Sequence, residues 1–291
     1  MTISPLGSLM KRRSTCAVTF ACALALAPLT PPRPAFAEEA PALVSHRAVY
    51  ELTLDEAGAG SNVTDIRGQL VYDFKGSACQ GYTLNTRLVT EVFDREGKSS
   101  TNDIRSESWE DADGKRFRFS TSQFANGRLT DMTKGLARRA GADTVVVDLE
   151  KPRRSSATLT GKILFPTQHS ITVLKAAQAG QTHLQADIYD GSEKGTKVYE
   201  TSSVIGPPLE LSANGQLPAI KNAEVLGALP SWPVVVSYYE QTPKKDGLPY
   251  YEVSFRMYSN GVSRKLKLDY GTFSLDGELS SIEFLESKPC H

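Results

Sequence analysis

Apolar and polar residues alternate along most of the chain, with a period of two that begins near residue 44. In the first such segment Tyr50, Leu52 and Leu54 are separated by Glu51 and Thr53. This period places every second side chain on the same face of a β-strand. The pattern recurs along the chain, at residues 70–74, 82–88, 116–119, 145–149, 184–188, 234–238, 253–257, 266–270 and 282–284. The sequence therefore predicts a protein made almost entirely of strands.

Turn signals of one kind separate these segments. Asp-Gly or Asn-Gly pairs favour the two-residue turns that join antiparallel strands. They occur at residues 113–114, 126–127, 190–191, 214–215, 246–247, 260–261 and 276–277. Their frequency indicates an antiparallel meander rather than repeated strand–helix–strand units.

One segment has the composition of a helix. The sequence predicts a helix at Ser170–Ala179, with Pro166 just before it, Thr167 as the capping residue and Gly180 directly after its last turn. A second irregular stretch, residues 207–233, contains five prolines and a candidate helical turn near residues 223–229. We interpret that stretch as a long loop or lid.

These elements define the expected architecture. An antiparallel sheet of this size protects its edges by closing into a barrel or by curling. We therefore predict one all-β, mainly antiparallel domain over residues 38–291, with one or two short helices. The sheet is expected to curl into a broken barrel, with the helix inside it or across its mouth. Such an arrangement often leaves an apolar groove.

The first residues have the composition of an export signal. Lys11–Arg13 is basic, Ala17–Leu29 is apolar, and Ala35–Ala37 forms a small-x-small cleavage site. The apolar run is shorter than the ~20 residues of a membrane span. Cys22 follows a poor lipoprotein signal. We interpret residues 1–37 as a cleaved signal peptide, which predicts a periplasmic protein without a transmembrane span. An uncleaved anchor is the alternative.

Removal of that segment changes the charge and cysteine counts. The 33 basic and 33 acidic residues of the full chain become 29 and 33, because four basic residues lie in residues 1–37. A net charge near −4 argues against a nucleic-acid partner. Two cysteines remain, Cys79 and Cys290, and an oxidising compartment favours a disulfide between them. A redox-active pair is the alternative, although no Cys-x-x-Cys spacing supports it.

The sequence offers little catalytic or metal-binding chemistry. It contains no nucleophile elbow, zinc-protease motif or phosphate-binding loop, and its histidines lack ligand spacing. We therefore predict no catalytic residues, metal or cofactor. Aromatic residues are candidates for lining the groove, and His169 near the helix start is a candidate for pairing with a carboxylate. The candidate groove residues are Phe165, His169, Trp232 and Tyr238, with Tyr239, Tyr250 and Tyr251 beside them.

A set of short motifs resembles a known family. They are Phe165–His169, Tyr189–Ser192, Trp232-Pro233, and Tyr270–Phe273 running to Phe284-Leu285. Together they resemble the EipB-like cell-envelope integrity family of alphaproteobacterial periplasmic proteins, over most of residues 43–290. The resemblance implies a β-spiral, a broken antiparallel barrel wound around a helix. It also implies a disulfide at Cys79 and Cys290 and a non-enzymatic role in envelope integrity with a periplasmic protein partner.

Three functions remain open from the sequence. The first is a monomeric periplasmic protein that maintains the envelope by binding a protein or lipid through its groove or rim. The second is a lipid or lipoprotein carrier, an analogy at the level of the fold. The third is an envelope hydrolase that uses His169 and a carboxylate as an acid–base pair.

Overall fold

A computed structural model describes residues 43–209, 220–241 and 247–286. Strands dominate it, in agreement with the alternating pattern of the sequence. The strands are β1 His46–Ala57, β2 Val63–Ser77, β3 Gly81–Asp94, β4 Ser99–Glu110, β5 Arg116–Ala125, β6 Arg128–Gly141, β7 Thr144–Lys151, β8 Ser155–Thr160, β9 Ile163–Leu164, β10 His183–Ile188, β11 Tyr199–Ile205, β12 Ser231–Glu240, β13 Tyr251–Tyr258, β14 Ser263–Asp269 and β15 Phe273–Phe284. The helix α1 is Pro166–Gln178, and Glu193–Gly195 and Glu224–Ala228 form short 3₁₀ turns.

The described strands form one continuous sheet built from two meanders. One meander runs outward from β1 to β8, and the other runs from β9 to β15, which pairs antiparallel with β1. β9 and β10 are parallel, and the other neighbours are antiparallel. The sheet curls into a nearly closed barrel whose seam lies between β8 and β9. The predicted all-β, broken-barrel class is confirmed.

The helix lies inside the curl of the sheet. Ile171 packs against Phe74 and Tyr82 of β2 and β3. Val173 and Leu174 pack instead on a cluster formed by β11, β12 and β13. Because the helix contacts strands of both meanders, α1 serves as the core around which the strands wind.

The ends of the helix are only partly as predicted. Gly180 has a φ of +72°, and its N–H donates to Ala177 while that of Gln181 donates to Ala176. These two bonds form a Schellman motif, so the predicted glycine stop is confirmed. The prediction of Thr167 as the capping residue is wrong. The helix begins at Pro166, four residues before the predicted start at Ser170, and no side chain of its own caps it.

Of the five turn signals that lie wholly within the described residues, three mark tight turns, the pair at 190–191 lies in the longer connection between β10 and β11, and one is wrong. The Asp-Gly or Asn-Gly pairs at 113–114, 126–127 and 260–261 lie in turns between consecutive strands. The prediction of a turn at 276–277 is wrong, because Asp276 and Gly277 lie within β15 and the chain turns earlier, at Gly271. The pair at 214–215 and Asp246 lie outside the described residues.

Part of the proline-rich stretch closes one region of the core. Ala223 and Leu226, around the predicted helical turn, are buried against Tyr50 and Ile282 of β1 and β15. Lys221 forms an isolated parallel bridge with Ser281. This section is therefore packed onto the sheet. The rest of the stretch, residues 210–219, lies outside the described residues.

Candidate functional site

A partly open cavity of about 170 Å³ lies between α1 and the inner face of the sheet. Its wall is mainly apolar and comes from both meanders and from the helix. The residues that line it are Leu43, Val44, His46, Tyr72, Phe74, Leu84, Pro166, Thr167, His169, Ser170, Val173, Val236, Tyr238, Val253, Phe255, Met257, Asn260, Gly261 and Ser263. Among the described residues, the only ionisable side chains in this wall are histidines and tyrosines.

The alternation of the strands positions this wall. Val236 and Tyr238 of β12 are two residues apart, so they point to the same face of the sheet. In the antiparallel register Val236 lies opposite Val253 of the neighbouring β13, and Phe255 follows on the same face. The period-two pattern thus predicts which side chains share the inner face, although it does not predict that a cavity remains there.

A buried carboxylate fixes the start of the helix. Glu110, at the end of β4, is only 2% exposed. Its oxygens accept hydrogen bonds from the backbone N–H groups of Thr167 at 2.8 Å and Gln168 at 3.1 Å. A carboxylate at this end of a helix satisfies donors that have no partner within the helix and interacts favourably with the helix dipole. Burial nevertheless raises the pKa of Glu110 to about 7.

His169 enters the cavity wall on the first turn of the helix. It is buried, and burial lowers its pKa to about 4, so the imidazole is neutral at physiological pH. Its Nε2 lies 3.4 Å from the Thr201 hydroxyl oxygen. That hydroxyl donates to the Ala186 carbonyl at 2.7 Å, so Nε2 is the donor toward Thr201. The other nitrogen, Nδ1, then carries the lone pair.

His46 is a second neutral imidazole in the wall. Its Nδ1 donates to the Val44 carbonyl at 2.8 Å, and its ring stacks on Tyr72 with centroids 5.6 Å apart. Burial lowers its pKa, although the Val44 carbonyl and Asp73 partly oppose that shift. Two neutral histidines in an apolar wall suit an uncharged guest and offer no cation to bind an anion.

Tyr238 joins the cavity to a row of aromatic rings at the ends of neighbouring strands. The rings of Tyr238 and Tyr251 stack 4.2 Å apart, and Tyr199 meets both edge-on at 6.0 Å. Burial raises the pKa of Tyr238 and of Tyr251, so both phenols stay neutral. Tyr250 lies at the outer side of this row, where the Lys197 ammonium is 4.3 Å from its ring centroid.

The structure separates the predicted groove residues. His169 and Tyr238 both line the cavity. Phe165 is fully buried in a different cluster, where its ring lies 5.3 Å from Phe117. Trp232 packs in the cluster of β11–β13 that supports the helix, outside the cavity lining. Both residues contribute to the core that shapes the site.

Sequence reasoning missed two groups at this site. His46 has no ligand spacing in the sequence, although it stands two residues before Ala48 and four before Tyr50 and so continues the inward face of β1. That alternation was the available signal. Glu110 has no comparable local signal, because its partners Thr167 and Gln168 lie more than fifty positions away along the chain.

Two further expectations concern cysteine and metal sites. Cys79 lies in the turn between β2 and β3, whereas Cys290 lies outside the described residues, so the disulfide stays a prediction. The predicted signal peptide and its cleavage site also lie outside them. Within the described segments, no cluster of three or more His, Cys, Asp or Glu side chains could hold a metal ion. No helix of those segments is long and apolar enough to cross a bilayer.

The curled sheet around a helix, with an apolar cavity between them, defines the class of β-barrel-like proteins with an internal helix. The EipB-like family matches residues 37–286, and the chain belongs to this family. It is 37% identical over 256 residues to the cell envelope integrity protein EipB of Brucella abortus strain 2308, covering 87% of this chain and 88% of that protein.

A solved structure supports the same assignment. The crystal structure of a β-barrel-like protein of the domain of unknown function DUF1849, also from Brucella abortus, matches with a TM-score of 0.78 at 35% identity. The match covers 84% of this chain and 99% of that structure. The resemblance to the EipB-like family expected from the motifs is confirmed.

Proposed function

We propose that this protein is a non-enzymatic periplasmic factor for cell-envelope integrity that binds a partner protein through the cavity beside α1. The name of the Brucella relative and the family match support the envelope role. The observation that carries the binding role is the cavity itself, an apolar chamber with two neutral histidines in its wall. In this proposal the cavity binds an uncharged apolar group of the partner protein.

The size of the cavity favours a side chain over a lipid. Cavities for drug-sized ligands measure roughly 300–1,000 Å³, whereas an apolar cavity of about 150 Å³ suffices for benzene. At about 170 Å³ the cavity suits one aromatic or aliphatic side chain of a partner. A lipid with two acyl chains would require a larger chamber. Size therefore favours the protein partner over the lipid-carrier alternative.

The surroundings of His169 give the hydrolase alternative little support. That alternative paired His169 with a carboxylate, but the imidazole is bonded to the Thr201 hydroxyl. Among the described residues, no Asp or Glu lines the cavity. Replacing His169 by Ala separates the alternatives. Loss of envelope resistance in a folded, normally abundant His169→Ala protein that still recovers the crosslinked partner would favour catalysis. Loss of resistance together with the partner would favour binding, and retained resistance would exclude a catalytic role for His169.

Filling the cavity tests the binding proposal. Val253→Phe places a larger ring in the cavity wall, whereas Val204→Phe makes the same change at an exposed position of β11, where Val204 is 53% exposed. We expect Val253→Phe to remove the partner recovered after crosslinking in the periplasm and to sensitise cells to envelope stress. Val204→Phe should do neither. Equal partner recovery with both folded variants would refute the cavity as the binding site.

A further inference from the structure

The charge of the chain is strongly segregated. Residues 115–162, which contain β5–β8, hold 11 Lys and Arg against 4 Asp and Glu, a net charge of +7. The remainder after the predicted signal peptide, residues 38–114 and 163–291, holds 18 basic and 29 acidic residues, a net charge of −11. One sector of the barrel is therefore cationic on an acidic protein.

Apart from Arg139, whose guanidinium lies over the buried ring of Phe165, the cations in this sector face outward and are incompletely neutralised. Phe117 and Phe119 of β5 are buried. Arg116 and Arg118 alternate with them along the strand, so both arginines point to the outer face. Arg118 lies over the ring of Trp109, 5.9 Å from its centroid. Some cations of this face do form salt bridges with carboxylates, in the pairs Arg116–Asp111, Lys134–Glu150 and Arg138–Asp148.

The turns at one end of these strands add cations outside any salt bridge. Lys151 at the end of β7 and Arg153 and Arg154 in the β7–β8 turn are all exposed. Arg128 at the start of β6 is also exposed. Within the described residues, none of these four side chains forms a salt bridge. The positive charge of the sector is therefore concentrated where solvent or a partner can reach it.

An apolar side chain lies at the tip of the same sector. Leu129 follows the β5–β6 turn and is 55% exposed. The first residue of β6 paired with β7 is Lys134, opposite Lys151. β6 begins six residues earlier, at Arg128, so the hairpin tip extends about 20 Å beyond the end of β7. An exposed leucine next to an arginine thus stands at the end of a hairpin that extends beyond β7 and stays paired with β4 on its other side.

We propose that the outer face of β5–β8, with the β5–β6 tip, docks the protein on anionic phospholipid headgroups. Basic clusters with an exposed apolar side chain are typical of reversible binding at membrane surfaces. The cations cover a broad face and two turns and do not converge on one pocket, which suits a fluid layer of headgroups better than a defined acidic peptide. The net negative charge of the rest of the protein would orient this sector toward the membrane.

A simpler explanation also predicts basic residues here. β8 is an edge of the sheet, and exposed charges protect such edges from pairing with other chains. That explanation predicts no lipid binding. It also does not account for Leu129, because an exposed leucine offers no protection to an edge.

Vesicle sedimentation of the full mature protein distinguishes these explanations. We expect binding to phosphatidylglycerol-rich vesicles, none to phosphatidylcholine vesicles, and a steep loss with added salt. Each basic residue near an anionic surface contributes roughly a fivefold factor, so Arg153→Glu with Arg154→Glu should reduce partitioning at least about 25-fold. Leu129→Ser should reduce partitioning further, and this additional fold-reduction should not shrink as salt is added.

Matched controls make the result specific. Arg67→Glu with Lys98→Glu makes the same charge change at side chains that are 74% and 73% exposed in β2 and in the β3–β4 turn, and should reduce partitioning far less. The cavity variant Val253→Phe should bind vesicles normally, so the two proposals fail independently. An equal loss of vesicle binding in both double variants would refute the docking of this face on lipid. Binding of the protein to a soluble acidic polypeptide, without binding to vesicles, would also refute it.

Discussion

Glu110 connects two parts of the fold that are distant in sequence. Its carboxylate lies at the end of β4 and accepts the first N–H groups of α1. The helix has no side-chain cap of its own, and His169 directly follows Gln168 in its first turn. Because this carboxylate anchors the helix to the sheet, it also helps to position His169 in the cavity wall.

The burial of Glu110 predicts a pH dependence of stability. Its pKa rises from the ordinary value of 4.5 to about 7 in the folded protein. Between these values the unfolded chain loses a proton that the folded protein keeps, so this group's contribution to stability is full below pH 4.5 and is lost as the pH rises through 7. The loss is on the order of 3 kcal/mol.

The variant Glu110→Gln tests this prediction because it cannot ionise. Denaturant unfolding at about pH 5 and about pH 8 should show that the variant lacks this loss, so it gains stability relative to the wild type at the higher pH. Glu107→Gln, at an exposed position of the same strand, should follow the wild type. If the free energy of unfolding changes with pH in the same way for Glu110→Gln and the wild type, Glu110 is not the group responsible for the loss of stability.

The strand β15 shows how tertiary packing can override a turn signal. Asp276-Gly277 has the sequence of a hairpin turn, yet Gly277 pairs with both Leu52 and Leu266 within the sheet. A Cβ at Gly277 would lie 2.9 Å from the Leu52 side chain and 3.1 Å from Leu266. The glycine is therefore required by the close approach of its neighbours, a reason that is invisible in the local sequence.

Adding a methyl group at this position should destabilise the sheet. We expect Gly277→Ala to lower the free energy of unfolding by about 1–3 kcal/mol, because Leu52 must move from its packing. Leu52→Val removes the contacting methyl end and should recover part of that loss in a double-mutant cycle measured by denaturant unfolding. Strictly additive effects of the two substitutions would show that the contact with Leu52 is not the cause.

Local patterns predicted the strands well because the alternation records which face of each strand is buried. They also located the helix, since Pro166 and Gly180 mark its ends through their own backbone chemistry. The cavity could not be predicted in this way. Its wall combines His46 with Tyr238 and His169, and the pairing of β15 with β1 is what brings their strands together.

The pairing of β15 with β1, and of β1 with β2, brings the C-terminal end of the described chain close to Cys79. β15 ends at Phe284, which lies opposite His46 of β1, and His46 lies opposite Phe74 of β2. Two strand spacings, about 10 Å, therefore separate the end of β15 from the strand that leads to Cys79. Five residues connect Leu285 to Cys290 and can reach about 17 Å. The topology thus makes the predicted bridge geometrically feasible.

Such a bridge would close a loop of 211 positions and fasten the last strand to the first meander. We expect Cys290→Ser to destabilise the protein by at most about 5 kcal/mol, because the bridge restricts the unfolded chain. The measurements are thermal unfolding and the steady-state level in cells. Cys79→Ser should have the same effect, and the double variant should be no worse than either single one. Two free thiols in the protein recovered from cells and denatured without reduction would show that the bridge does not form.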